Sequence, residues 1–182
     1  VNNTGKLLAG GDMNVTSTKA LANGSNGVIQ AGGALALETG AALTNDKGGV
    51  VSGATLDVRA AQGLANGGRL SASTGNATIR SGAAVDNLGT LHAKGNVDIA
   101  DLTGGATVAV GNGGQMLAEQ QMRLAASTLT NAKGALVQAA AGTTVTASSV
   151  SNAGTWTLAT QAGNASQLNA GSLLNNDVDG RI

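Results

Sequence analysis

Asp57 and Asp98 are the side chains best placed to do chemistry in this chain of 182 residues. Each lies at the middle of an alternating segment, Leu56-Asp57-Val58 and Val97-Asp98-Ile99, flanked by apolar residues. If those segments are strands stacked two layers apart, the carboxylates are roughly 9.6 Å from one another, twice the usual spacing of about 4.8 Å. Inverting glycoside hydrolysis uses two carboxyl groups about 6.5–9.5 Å apart, one protonating the leaving oxygen and one activating water. A plainer reading competes. Arg123 falls one layer beyond Asp98, and a surface ion pair needs nothing more. With no Phe, no Tyr and a single Trp, the acids have no aromatic surface beside them for a sugar ring. The ion pair is favoured, and no catalytic residue is assigned.

The next outward column reads Thr16, Glu38, Arg59, Arg80, Ala100, Ala125 and Thr146. Glu38 is expected to pair with Arg59. Arg59 and Arg80, with Arg69 nearby in sequence, would suit an anion such as a sulfated sugar, although a solvated face is the favoured reading of charges on strands. His92 is the only histidine and there is no cysteine, so neither a His-based nor a Cys-based zinc site is expected. Gly104-Gly105 and Gly113-Gly114 precede no helix and no Gly-Lys-Ser/Thr, so they are turn material and not phosphate loops. Thr144-Val145-Thr146 and Thr155-Trp156-Thr157 have the Thr-x-Thr form of ice-binding arrays, but the motif does not recur in one column. No cofactor or metal is assigned, and no ligand-binding residue is named.

Lys+Arg and Asp+Glu number ten each. Without a basic excess or stacking aromatics, nucleic-acid binding is not expected. No apolar run approaches the roughly 20 residues that span a bilayer, so membrane insertion is not expected either.

What must position these side chains is a repeat. An apolar residue, a spacer and an asparagine recur from end to end, the asparagines being Asn3, Asn23, Asn45, Asn66, Asn87, Asn112, Asn131, Asn152 and Asn176. Most steps are close to 21 residues. A glycine follows each within two to four residues: Gly5, Gly27, Gly49, Gly68, Gly89, Gly114, Gly134, Gly154 and Gly180. Self-similarity at this period marks a solenoid.

After each glycine the pattern alternates with period two, the mark of a half-buried strand. The first inward column is expected to be Leu7, Ile29, Val51, Leu70, Leu91, Met116, Leu136, Trp156 and Ile182. The next is Ala9, Ala31, Gly53, Ala72, Ala93 and Ala118, changing to Gln138 and Leu158. A later inward pair runs from Met13/Val15 through Leu35/Leu37, Leu56/Val58, Ala77/Ile79 and Val97/Ile99 to Met122/Leu124. A helix is excluded by the period, the β-branched residues and the recurring glycines. The fold expected is all-β: a parallel β-helix over residues 1–182, with about three short strands per rung and about eight to nine rungs. Stacked asparagines would form an amide ladder, and the glycines would permit a tight bend. The absence of proline suits strands that each need their N–H. The stretches 101–109 and 159–172 lengthen two repeats and are expected to bulge or protrude. Trp156, in the leucine column, is expected in the core.

The pattern Leu-x-Asn-x-x-Gly-x-Leu/Ile/Val-x-Ala followed by Gly-x-Leu-x-Leu, clear in Leu21–Leu37 and Val85–Ile99, resembles the filamentous haemagglutinin repeat. The resemblance covers essentially the whole chain. It implies a right-handed parallel β-helix within a very large exoprotein that leaves a Gram-negative bacterium by two-partner secretion, through a dedicated outer-membrane transporter. Such exoproteins include adhesins, haemolysins and the filaments of contact-dependent growth inhibition. Two marks of the family are missing: the Asn-Pro motifs of the secretion domain and the Val-Glu-Asn-Asn boundary before growth-inhibition toxins. The tail reads Asp179-Gly180-Arg181, and no Arg-Gly-Asp occurs. The expectation is an internal shaft fragment of a secreted or cell-surface adhesin, not an enzyme, with host-surface glycans or proteins as further partners. The alternatives are the stalk of a growth-inhibition toxin filament and, more remotely, a polysaccharide-acting β-helix.

Overall fold

The computed structural model describes residues 1–182. The chain contains no helix and forms 22 strands, and every named strand pairing is parallel. These stack as a β-solenoid of about 8 turns with roughly 21 residues per turn. One rung shows the plan: a first strand Leu64–Asn66, a second Arg69–Ala72 and a third Ala77–Ser81. Its neighbours align residue for residue, Leu64 with Leu43 and Val85, Leu70 with Val51 and Leu91, and Ile79 with Val58 and Ile99. Alternation decides which side chains enter. The core is one cluster of 34 buried apolar residues running along the axis.

The second strands form a separate sheet of eight, from Lys6–Ala9 to Thr155–Thr157. The first and third strands share the other sheet because three late strands, Met122–Asn131, Thr143–Asn152 and Gln167–Asn176, run through the corner without a break. The sequence supplies the reason. In the first two of these strands the steps Leu124 to Leu129 and Val145 to Val150 are one residue shorter than Leu37 to Leu43 or Ile79 to Val85. They also lack the glycines of the earlier corners, Gly40, Gly63 and Gly82, of which Gly63 has φ of 119°.

The asparagine column forms the expected ladder. Each Nδ2 donates to Oδ1 of the next asparagine, from Asn3 through to Asn176, at 2.7–2.9 Å over every step. The same Nδ2 also donates across to a backbone carbonyl that opens the second strand of the next rung, such as Thr90 O for Asn66 and Gln115 O for Asn87. Asn3 to Asn152 are all buried, so these amides satisfy groups that water does not reach. All the amides point the same way, which aligns their dipoles along the axis.

The paired glycines act differently from expectation. Apart from Gly134, with φ of 80°, none of the nine has a positive φ. What all but Gly5 and Gly134 permit is close approach between rungs. A Cβ on Gly89 would lie 2.0 Å from Gly68 O, and one on Gly114 would lie 2.1 Å from Gly89 O. Gly89→Ala is therefore expected to destabilise the fold by about 1–3 kcal/mol or more, as overpacking does, in urea denaturation followed by the fluorescence of the single tryptophan.

Two inward assignments are corrected. Val137, not Leu136, continues the leucine column beside Met116 and Trp156. Ala139, not Gln138, continues the alanine column beside Ala118. The cause is the turn after Asn131, which is two residues longer than those after Asn66, Asn87 and Asn112. Gly134 matches the positive-φ Gly48 of the third rung, so counting from it as though it were Gly49 shifts the phase by one residue.

Candidate functional site: the arginine-clamped Asp98 and its neighbouring loop

The third strands place the outward charges. Asn14, Ala36, Asp57, Thr78, Asp98, Arg123 and Thr144 fall in one column, as the alternation expects. The expected ion pair is present: Asp98 Oδ1 meets Arg123 Nη1 at 2.9 Å. A second partner was not anticipated. Arg80, one rung back and in the adjacent column, meets Asp98 Oδ2 at 2.8 Å and also donates to Asp98 O at 3.3 Å. Both carboxylate oxygens are thus held by guanidinium groups. Asp57 lies two rungs from Asp98, with Thr78 between them, and the two acids share no hydrogen bond or common partner. Both oxygens of Asp98 are therefore already engaged by neighbouring side chains.

The expected Glu38–Arg59 pair does not form. Arg59 Nη2 turns instead to the carbonyl of Leu102, at 3.5 Å. Nor do the three arginines gather. Arg80 is committed to Asp98, while Arg69 lies on the other sheet and reaches Ser71 Oγ at 3.4 Å. Beside Arg59 is an open groove of about 300 Å³ lined by Thr16, Thr18, Glu38, Thr39, Arg59 and Leu102 among others. His92, the only histidine, meets Glu119 at 3.1 Å on the surface. Trp156 is buried as a core residue, and its indole N–H has no partner.

The loop of residues 102–108 is the irregular element here, lying between strands where the repeat runs long, with only Thr103 and Thr107 exposed. Asp101 organises it. Its Oδ1 accepts from Thr103 Oγ1 at 2.7 Å, Thr103 N at 2.8 Å and Gly105 N at 2.9 Å. Its Oδ2 accepts from Thr107 Oγ1 at 2.7 Å. The Thr103 and Thr107 hydroxyls first, then the Gly105 amide, hold the carboxyl well below the usual carboxylate range against the opposing effect of desolvation. The loop is tied down by Arg123, which donates to Gly104 O at 2.9 Å. Ala100 and Ala125, expected to face solvent, are buried.

A carboxyl whose folded pKa is depressed adds stability that is present above its unfolded value, about 4, and is lost as pH falls through the lower folded value. Amide hydrogen exchange at Gly105 and Thr107 is accordingly expected to lose protection progressively below about pH 4. In Asp101→Asn the protection is already reduced at neutral pH and lacks that acid slope.

A second, shorter ladder escaped the sequence reading. The residue before the third strand caps the next rung: Asp12 Oδ1 accepts from Ala34 N at 2.8 Å, Asn76 Oδ1 from Asn96 N at 2.8 Å, and Asn96 Oδ1 from Gln121 N at 3.0 Å. The signal was an Asp or Asn directly ahead of an inward apolar residue in three rungs, too sparse to stand out as a period. Taken together, the outer face offers paired charges, an open groove and a hydrogen-bonded loop, and no three acidic or histidine side chains converge as a metal site would require. No known protein family, curated protein or solved structure matches this chain.

Proposed function

We propose that this chain is a segment of the rigid shaft of a large secreted exoprotein of the filamentous haemagglutinin type, anchored at the surface of a Gram-negative bacterium and holding binding regions away from it. A β-solenoid is compatible with that role. The observation that carries the reading is the unbroken asparagine ladder, which ties every rung to the next. Its inward columns are nearly uniform while its outward columns vary freely, the pattern of a part selected for stacking and not for one reactive centre. The absence of cysteine supports passage through an outer-membrane transporter as an extended chain, since no disulfide can lock it on the way. Contacts with host glycans or proteins would be spread along the outward columns.

The test is antibody labelling of intact cells that express the parent protein, with and without the partner transporter gene. The expected result is a surface signal that disappears when the transporter is deleted. A signal seen only after lysis, or one indifferent to the transporter, overturns the proposal.

A further inference from the structure

The residue after each ladder asparagine reads Thr4, Gly24, Asp46, Gly67, Leu88, Gly113, Ala132, Ala153 and Asp177. Side chains of every size are accepted there. Replacing the three glycines by alanine would require only small adjustments of their neighbours. None has a positive φ. A Cβ on Gly24 would meet nothing nearer than 3.6 Å, one on Gly67 nothing nearer than 3.2 Å, and one on Gly113 only the flexible tip of Leu88. This contrasts with Gly68, Gly89 and Gly114 one position on, where a Cβ would strike the backbone of the preceding rung.

Glycine at this position has a chemical consequence. In an Asn-Gly step the following backbone nitrogen is unshielded and attacks the side-chain carbonyl carbon. Base removes the N–H proton, an N–Cγ bond forms, the Cγ–Nδ2 bond breaks and ammonia leaves. The resulting succinimide adds water. Opening at Cγ gives aspartate, and opening at the backbone carbonyl gives isoaspartate, whose main chain runs through Cβ and Cγ.

The folded rung opposes each part of this. The attacking nitrogens of Gly24, Gly67 and Gly113 are hydrogen-bonded to Asn3 O, Asn45 O and Asn87 O at 2.9, 2.7 and 2.8 Å. The leaving amides of Asn23, Asn66 and Asn112 are buried and locked between rungs. The product also cannot re-enter the ladder. The oxygen replacing Nδ2 of Asn66 would face Asn87 Oδ1 and Thr90 O, both acceptors, and an unpaired buried carboxylate is strongly disfavoured. Isoaspartate lengthens the main chain by one atom and disturbs the register as well.

We propose that Asn23, Asn66 and Asn112 are self-modification sites that folding protects, so that the chain carries a chemical limit on the time it stays unfolded and still able to fold. The inference does not depend on the shaft reading.

The test holds the full chain in concentrated urea at mildly alkaline pH, and in parallel at the same pH without urea. Peptide mass spectrometry follows the exchange of amide nitrogen for oxygen, and Trp156 fluorescence after dilution reports refolding. Modification at the three sites is expected to be about tenfold or more faster in urea, because only opened molecules react in the folded sample. In urea, Asn26, which precedes Gly27 outside the ladder, should match their rate. Refolding yield should fall in step with modification. The triple variant Gly24→Ala, Gly67→Ala, Gly113→Ala keeps Asn26-Gly27 and should lose its yield several-fold more slowly than the parent chain over the same interval. Equal modification rates in the two samples overturn the proposal, as does undiminished refolding of modified chains. If the triple variant folds poorly, Gly24→Ala alone decides it: unchanged modification at Asn23 in urea contradicts the mechanism.

Discussion

Leu91→Asp is expected to abolish cooperative folding of the rungs around it, while His92→Ala, one residue away, changes almost nothing. Leu91 is 2% exposed and stacks between Leu70 and Met116. Its replacement forfeits about 1.5–3 kcal/mol of apolar burial. It also introduces a carboxylate with no partner, which typically adds about 3–5 kcal/mol. The sum is comparable to the whole stability of many domains, about 5–15 kcal/mol. His92 faces outward, and its contact with Glu119 is at the surface; surface changes of this kind stay within about 0.5 kcal/mol. Urea titrations of the two variants make the comparison. Similar midpoints would mean that the inward and outward phase is wrong.

Asn87→Asp is the second large effect, and it is nearly isosteric. Asn87 Nδ2 donates to Gly89 O at 3.3 Å, Asn112 Oδ1 at 2.8 Å and Gln115 O at 2.9 Å. An aspartate places an oxygen against three acceptors at a buried corner. The expected cost is about 3–5 kcal/mol at neutral pH, that of an uncompensated buried charge. The sign of the pH dependence follows. Burial and facing acceptors raise the folded pKa of the new carboxyl, so its penalty is largest above that value and shrinks as acid protonates it. A variant that is more stable relative to the parent at pH 5 than at pH 8 fits. A pH-independent loss of less than about 1 kcal/mol, the worth of one ordinary hydrogen bond, would mean that the ladder contributes little.

The asparagine repeat made the ladder legible in the sequence, because one side chain recurring at one corner of every rung is brought against its counterparts above and below. The inward columns were legible for the same reason: period-two alternation fixes the face, and a shared period fixes the register. Failures came where neither period applied. The seventh rung misled because its turn after Asn131 is longer, so counting from Gly134 slipped by one residue. Arg80 was missed as a partner of Asp98 because its guanidinium reaches diagonally, between columns, and straight stacking does not reveal that. Arg59 and Glu38 stack straight yet stay apart because the loop of residues 102–108 offers Arg59 a carbonyl instead. Asp101 gave no periodic signal, since its partners Thr103, Gly105 and Thr107 belong to the one segment that departs from the repeat.

One continuous amide ladder binds the rungs to one another. Side-chain amide hydrogen exchange, read by NMR asparagine by asparagine, tests it directly. Slow and closely similar exchange is expected at the eight buried ladder amides from Asn3 to Asn152, and fast exchange at the exposed Asn26 and Asn164. Ladder amides exchanging as fast as Asn26, or protection broken at an interior rung, would contradict it.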